Sequence, residues 1–328
     1  MKYGKLTDTI YDRTVYKTVQ SINKSADLGK DCTFLDRFTA TGTATGKDVQ
    51  VAFRAAIDGL NKLAANGINP LLSKDTFEVS LQVYFPGSLR EAKLRASIEY
   101  ATTELEKINV KIGNIDVEVL PGIEEVIVTA FVQTSSEMVE IVKAKPDQDI
   151  VMTKWMAMEG TALISLKNHR DLETRYPLHL IEDTYDFINR ISILDEAAGA
   201  CKSNACAMYA IREGGIFNGL WEFAEKNGVG LVIDLKKIPV KQETIEVCEF
   251  YDINPYKLLS GGSLLIATDN GMTLVSELDR LGIHAAVIGK TTANNDKIIN
   301  NDEDTRFLER TGEDEYYKVM YTQTSSEL

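Results

Sequence analysis

Apolar and polar residues alternate strictly over one segment in the first half of the chain. Phe77–Phe85 carries apolar side chains at its odd positions and Glu78, Ser80, Gln82 and Tyr84 between them, which predicts a strand with one buried face. Apolar residues recur at helical spacing before it, over 49–63, and after it, over 94–108. Ser88 with Glu91 has the spacing of a capping box at the start of the second helix. Further strands are predicted at 115–119 and 125–133, so this half is an α+β arrangement.

A different pattern begins after the polar stretch 143–149, which we interpret as a linker. Short, continuous apolar runs are typical of strands that are buried on both faces. These runs lie at Ile150–Met152, Leu231–Ile233, Leu264–Ala267 and Ala285–Ile288. Helical stretches separate the last three runs. One predicted helix ends at Asn227-Gly228 and another ends at Gly282. We therefore predict an α/β protein of two domains, residues 1–145 and 150–328.

Composition narrows the possible functions. The formal net charge of -13 over 328 residues disfavours nucleic acid and anionic membranes as partners. No apolar run suits a signal peptide or a membrane span, so a cytoplasmic protein is expected. The four cysteines form no CxxC pair and are expected to be reduced thiols, and the three histidines form no zinc-hydrolase motif.

Two glycine-lysine segments invite a nucleotide-loop interpretation that their spacing does not support. Gly289-Lys290-Thr291 lacks the glycine that a P-loop requires five positions earlier, because His284 stands there. Gly42–Lys47 is one residue short, and Asp48 follows it instead of Ser or Thr. No GxGxxG follows a predicted strand, so a Rossmann dinucleotide site is also not expected.

A set of short motifs follows in one order along nearly the whole chain. In the first half they lie at Gly29–Cys32, Leu35–Thr39, Asn61-Lys62 with Gly67 and Pro70, and Gly113–Val117. In the second half they lie at Glu159–Leu163, Tyr209–Ile216, Asn254-Pro255 and Leu258–Leu265. The ordered set resembles the aminoimidazole-ribotide (AIR) synthase and hydrogenase-maturation HypE superfamily, the PurM-like proteins, and in particular its HypE-like branch.

The resemblance implies an architecture and a site. The N-terminal domain would be a mixed or antiparallel sheet with helices on one face, and two such domains would pair as a homodimer. ATP and Mg²⁺ would lie in a cleft between the domains, and a small phosphate-containing molecule would be the ligand. Asp31 and Asp36 would be the metal ligands. The residues implied for nucleotide or anion binding are Asp31, Asp36, Asn61, Lys62, Asp116, Arg212, Glu213 and Gly214.

The sequence departs from the family pattern where the chemistry would occur. Lys62 replaces an aspartate, Ala210 replaces the aspartate of the His-Asp-x-Thr motif, and Arg212 replaces its threonine. Three interpretations remain open. The cations pair with Asp31, Asp36 or Glu213 in a degenerate site; they bind an anion directly without metal; or a shifted set of residues still works as an ATP-dependent enzyme. Cys248 is the last cysteine, so HypE's carbamoyl transfer to a C-terminal cysteine is not expected.

Overall fold

The computed structural model describes residues 8–22, 33–34, 37–203, 207–302, 304–310 and 312–321. The described residues form two compact units, one from 33 to 140 and one that joins 8–22 to 141–321. The segment 8–22 is helical, with α1 (Asp8–Tyr11) and α2 (Lys17–Ile22) joined by a π-helical turn. None of the helices within the described ranges is long and apolar enough to cross a membrane.

The N-terminal unit is a sheet covered by helices on one face. Its strands are β1 (Thr33–Phe34), β2 (Phe38–Gly46), β3 (Phe77–Pro86), β4 (Val110–Leu120) and β5 (Val126–Thr134), in the order β1-β2-β5-β3-β4. Only β3 and β4 pair in parallel, so the expected mixed sheet is confirmed. The helices are α3 (Val51–Ala64), which packs on β2 and β5, and α4 (Glu91–Lys107), which packs on α3 and β4.

The alternation in β3 decides which face the helices cover. Phe77, Val79, Leu81 and Val83 are buried under the helices, whereas the four intervening side chains are half-exposed on the other face. Gly42 and Gly59 let α3 lie directly on β2, because a Cβ on Gly42 would stand 2.0 Å from the Ala55 carbonyl oxygen. This close approach brings the polar side of α3 to the backbone of β2.

The C-terminal unit is built on a second, larger sheet. Its strands are β6 (Asp149–Thr153), β7 (Ala207–Ile211), β8 (Gly230–Asp234), β9 (Ser263–Thr268), β10 (Ala285–Thr292), β11 (Lys297–Asn301) and β12 (Asp304–Phe307), in the order β12-β11-β8-β10-β6-β9-β7. Only β8 and β11 pair in parallel. The four apolar runs became β6, β8, β9 and β10, and β9 is buried along its whole length.

Eight helices surround this sheet within the described ranges. They are α5 (Met158–Lys167), α6 (His169–Leu172), α7 (Leu178–Tyr185), α8 (Leu194–Lys202), α9 (Gly215–Asn227), α10 (Gln242–Phe250), α11 (Gly271–Arg280) and α12 (Glu315–Tyr321). The two helices expected before Gly228 and Gly282 are α9 and α11. Gly289-Lys290-Thr291 lies within β10, and 42–46 lies within β2, so neither segment is a nucleotide loop.

Two local predictions were wrong. The chain turns at Pro86–Leu89 and α4 begins at Glu91, so Glu91 is the first helical residue and Arg90, not Ser88, precedes it; no side chain caps this end. The polar stretch 143–149 is not a free linker. The side chain of the buried Gln148 donates to Asp269 at 2.7 Å, and the Thr291 hydroxyl donates to the Lys145 carbonyl oxygen at 2.6 Å. Its polar residues serve a hydrogen-bonded turn.

Candidate functional site

Lys62, the cation that replaces a family aspartate, lies on the side of α3 that faces the edge of β2. Its Nζ donates to the Thr41 carbonyl oxygen at 2.7 Å and pairs with Asp58 at 3.0 Å. The Asp58 carboxylate also accepts the Thr43 N–H at 3.2 Å. Lys62 is therefore held by a buried carboxylate one helical turn away and by the sheet backbone.

The same arrangement continues one turn earlier along α3. Arg54 donates to the Thr45 carbonyl oxygen at 2.7 Å and pairs with Asp48 at 2.8 Å. β1 pairs with β2 only at residues 38 and 39 among the described residues, whereas β5 pairs with the other side of β2 along 38–46. The outward groups of β2 are therefore the Thr41 and Thr45 carbonyls and the Thr43 N–H. Arg54, Asp58 and Lys62, spaced four residues apart, satisfy those groups and block the edge to further strands.

Of the other N-terminal candidates, the structure describes Asn61 and Asp116. Asn61 is buried on α3, next to Lys62 in sequence. Asp116 is exposed on β4, three strands away from β2, a separation of about 14 Å at ordinary strand spacing. Asp31 and Asp36, the expected metal ligands, lie outside the described residues. Within the described ranges, no group of three or more His, Cys, Asp and Glu side chains could hold a metal ion.

Arg212, Glu213 and Gly214 lie together in the C-terminal unit, in the turn between β7 and α9. The Arg212 guanidinium forms a fork with Glu159 on the first turn of α5, with Nε–Oε2 and Nη2–Oε1 distances of 3.2 and 3.1 Å. Glu159 is only 2% exposed. A buried carboxylate needs such a partner, so this pair neutralises the charge of Arg212 locally.

The turn depends on two glycines. Gly214 and Gly215 have φ of 77° and 67°, in the left-handed region. A Cβ on Gly215 would stand 2.5 Å from the Tyr256 carbonyl oxygen. The Gly-Gly pair that helped to carry the resemblance is therefore required by the close packing of this turn against the segment that follows Pro255.

Asp314 also contacts this turn, and no motif in the sequence indicates that it does. Its carboxylate accepts three backbone N–H groups, from Gly214 at 2.6 Å, Tyr316 at 2.8 Å and Leu259 at 3.0 Å. Burial raises the pKa of Asp314 to about 7, the three N–H donors oppose this, and the charge of Glu213 raises the pKa further. The local signal was weak, because one aspartate within the acidic run 313–315 gives no indication of which remote amides it meets.

Both candidate cations form ion pairs within their own units. Each is bound to a buried carboxylate of its own unit, Lys62 to Asp58 and Arg212 to Glu159. The amide of Gly214, which an anionic ligand could use, is occupied by Asp314. The expected pairing with Asp31, Asp36 or Glu213 stays a prediction. Lys62 keeps a residual capacity to donate, because its side chain is 31% exposed.

Comparison with known proteins supports the resemblance. Residues 145–300 match the family model of the AIR synthase related protein, C-terminal domain. A putative hydrogenase expression/formation protein of Methanocaldococcus jannaschii is 22% identical over 257 residues, covering 75% of this chain and 72% of that protein.

Solved structures extend the similarity to the whole fold. HypE of E. coli superposes with a TM-score of 0.71 at 13% identity, covering 94% of this chain and 99% of that one. HypE crystallised in complex with ATP gives a TM-score of 0.65 at 13% identity, covering 96% and 98%. Residues 145–300 are thus similar to the AIR synthase related family, and the whole chain is similar in fold to HypE. The chain thus has the α/β architecture with two sheets that its motifs implied.

Proposed function

We propose that this HypE-like protein binds ATP or another phosphate-containing ligand through the cations Lys62 and Arg212, without a metal ion. The support is the position of these two cations, which stand at motif positions where the resemblance implies an acidic and a neutral residue. A related HypE has been crystallised with ATP on the same fold. Phosphate oxygens accept charge-assisted hydrogen bonds from lysine and arginine directly.

The donor set among the described residues does not fit Mg²⁺. Asp58 is engaged by Lys62, Glu159 is engaged by Arg212, and Asp116 lies at the far edge of the sheet. A lysine about 4 Å from a divalent ion would repel it by several kcal/mol at an effective dielectric constant near 20. A phosphate group, by contrast, gains from the same charges. The expectation that Asp31, Asp36, Asn61, Lys62 and Glu213 converge in a cleft between the domains stays a prediction.

The test is calorimetry of the full chain with ATP, ADP and AMP, each with Mg²⁺ and with chelator. We expect binding in the presence of chelator and no gain from Mg²⁺, because the metal competes with the cations for the same oxygens. Lys62→Gln and Arg212→Gln should each weaken binding at least tenfold, since a hydrogen bond to a charged group contributes about 1.5–3 kcal/mol.

Matched controls separate loss of a ligand contact from loss of an ion pair. Arg95→Gln removes another i,i+4 pair, with Glu91, on a helix of the same unit, and Arg175→Gln removes the exposed pair with Glu249. Both controls should bind as wild type does. Lys62→Asp, which restores the family carboxylate, should abolish binding in chelator. Wild-type binding that disappears with chelator and returns with Mg²⁺ would overturn the proposal.

The second candidate is a catalytically degenerate homologue that acts as a dimeric binding or regulatory protein. The observation that favours it is the internal pairing of both cations. Charges that are locked in this way leave the site satisfied, so no nucleotide should bind in any condition and no ATP should be hydrolysed. Absence of binding for all three nucleotides, with a folded dimer by light scattering, selects this candidate over the first.

A further inference from the structure

The N-terminal unit contains a cavity between α3, α4 and the covered face of the sheet. It has a volume of about 500 Å³, including the space open to solvent at its mouth. Its walls are apolar and come from all three elements: Val51, Ala52, Leu94, Ile98, Val83 and Phe85.

Two lysines give the mouth of this cavity a positive charge. Lys47 and Lys93 both line it, and the Lys93 Nζ lies 3.3 Å from the Lys47 carbonyl oxygen. Asp48 is the only carboxylate among the lining residues, and the buried Arg54 neutralises it at 2.8 Å. A positive mouth is unusual in a chain with a net charge of -13, and it favours a ligand that carries an anionic group.

A buried hydroxyl group reaches the same cavity. Ser97 is 6% exposed, lines the cavity, and accepts the Ala52 N–H at 3.4 Å. Within the described part of the chain, the Ser97 hydroxyl donates no hydrogen bond. Ser97 follows Lys93 by one turn of α4, so both side chains reach one region. A buried hydroxyl normally donates as well as accepts, and a ligand in the cavity would supply the acceptor.

We propose that this cavity binds a small amphiphilic anion, a molecule with an apolar chain and one carboxylate or phosphate head. The chain packs against the apolar walls, the head lies at Lys47 and Lys93, and Ser97 donates to the head. Val51 and Lys62 are 11 residues apart on α3, about 16 Å along the helix axis. The site is therefore separate from the nucleotide site proposed above, and excess ATP should not displace the ligand.

Titration of the full chain with octanoate, followed by calorimetry and by amide chemical shifts, tests the proposal. Octyl phosphate identifies the preferred head group, while 1-octanol and octylammonium test the need for an anion. We expect saturable binding of octanoate or octyl phosphate, with octanol at least roughly tenfold weaker and octylammonium weaker still. Octanol that binds as tightly as both anions, or anions that show no saturation, would overturn the proposal.

Substitutions at the lysines and in the cavity wall test which residues contact the ligand. The double substitution Lys47→Gln/Lys93→Gln should weaken anion binding roughly tenfold and leave octanol unchanged. Lys111→Gln, an exposed lysine of β4 outside the cavity, is the matched control and should bind as wild type. Ala96→Leu, which fills the cavity, should abolish binding of every probe. If Ala96→Leu fails to fold, the Lys47→Gln/Lys93→Gln variant still tests the proposal. Unchanged affinity of that variant for the anions would show that the two lysines do not bind the head group.

Discussion

Lys62 and Arg212 can each be explained in two ways, as a ligand-binding cation or as half of an internal ion pair. From the sequence, both stand where the family has an acidic or neutral residue, and both suit an anion. In the structure, each is held by a carboxylate that is itself buried. Removing one partner of such a pair leaves an uncompensated buried charge, so these cations have a structural role whether or not they also bind phosphate. Only ligand-binding measurements on the variants separate the two roles.

The buried carboxylate of Asp314 should make the stability of the protein depend on pH. Because burial raises its pKa to about 7 from 3.8, the folded protein holds a proton between these pH values that the unfolded chain has lost. This group therefore makes the folded state less stable as the pH rises through that window, by up to about 4 kcal/mol. Asp314→Asn removes the titration, so the thermal midpoint should depend less on pH between 4 and 7.

The substitution also has a cost that does not depend on pH. One Asp314 oxygen accepts from Tyr316 and Leu259 and the other from Gly214, so an amide nitrogen in place of the second oxygen would face a donor. We expect a loss of about 1–3 kcal/mol at pH 8, measured by calorimetric unfolding. Asp279→Asn, at an exposed carboxylate on α11, should retain the wild-type pH profile. Identical profiles for all three proteins would contradict the assignment.

At the scale of secondary-structure elements, the N-terminal ends of α4 and α11 differ in whether a side chain caps them. Ser88 has the spacing of a cap before α4 but makes no cap, because the preceding turn makes Glu91 the first residue of the helix. Asn270 caps α11, and its side-chain oxygen accepts the Thr273 N–H at 3.1 Å. The spacing of a motif along the chain thus does not determine where a helix begins when a turn competes for the same residues.

Two alanine substitutions test this difference. Asn270→Ala should lower the free energy of unfolding by about 1 kcal/mol, because it leaves an amide of the first turn without its acceptor. Ser88→Ala should change it by less than about 0.5 kcal/mol, as expected for a surface position with no special contact. Denaturant unfolding followed by circular dichroism measures both. Equal losses in the two variants would show that Ser88 caps α4 in solution.

At the scale of the whole molecule, both described helices of the N-terminal unit, α3 and α4, lie on one face of its sheet. Phe131 on β5 is 48% exposed on the other face, across from the polar positions of β3. A large apolar side chain on an open sheet face favours burial against another surface. The predicted homodimer would use this face.

Light scattering of matched variants tests the dimer. The wild type should have twice the 36.4 kDa mass of the chain at micromolar concentration. Phe131→Glu should shift the equilibrium to the monomer, because it places a charge in the buried contact. Val119→Glu is the control: Val119 is 64% exposed, but its register with Phe85 puts it on the other side of the sheet. A wild-type monomer, or dissociation in both variants, would contradict the prediction.

The sequence by itself determined the elements whose burial follows a local period. Strand β3 and helices α3, α9 and α11 could be predicted because each must bury one face, and that requirement is written in the spacing of apolar residues. The order of short motifs similarly indicated the superfamily, because each motif carries a local turn or packing requirement, such as the left-handed glycines 214 and 215.

Only the tertiary structure decided the partners of the charged groups. Asp58 and Lys62 are close in sequence, but the backbone groups of 41–43 that they satisfy belong to another element. Glu159 meets Arg212 across 53 positions of the chain, and Asp314 meets the Gly214 amide across 100. Charge and hydrogen-bonding capacity are local properties of a residue, whereas the group that satisfies them is set by how distant segments pack, and no periodicity along the chain records that choice.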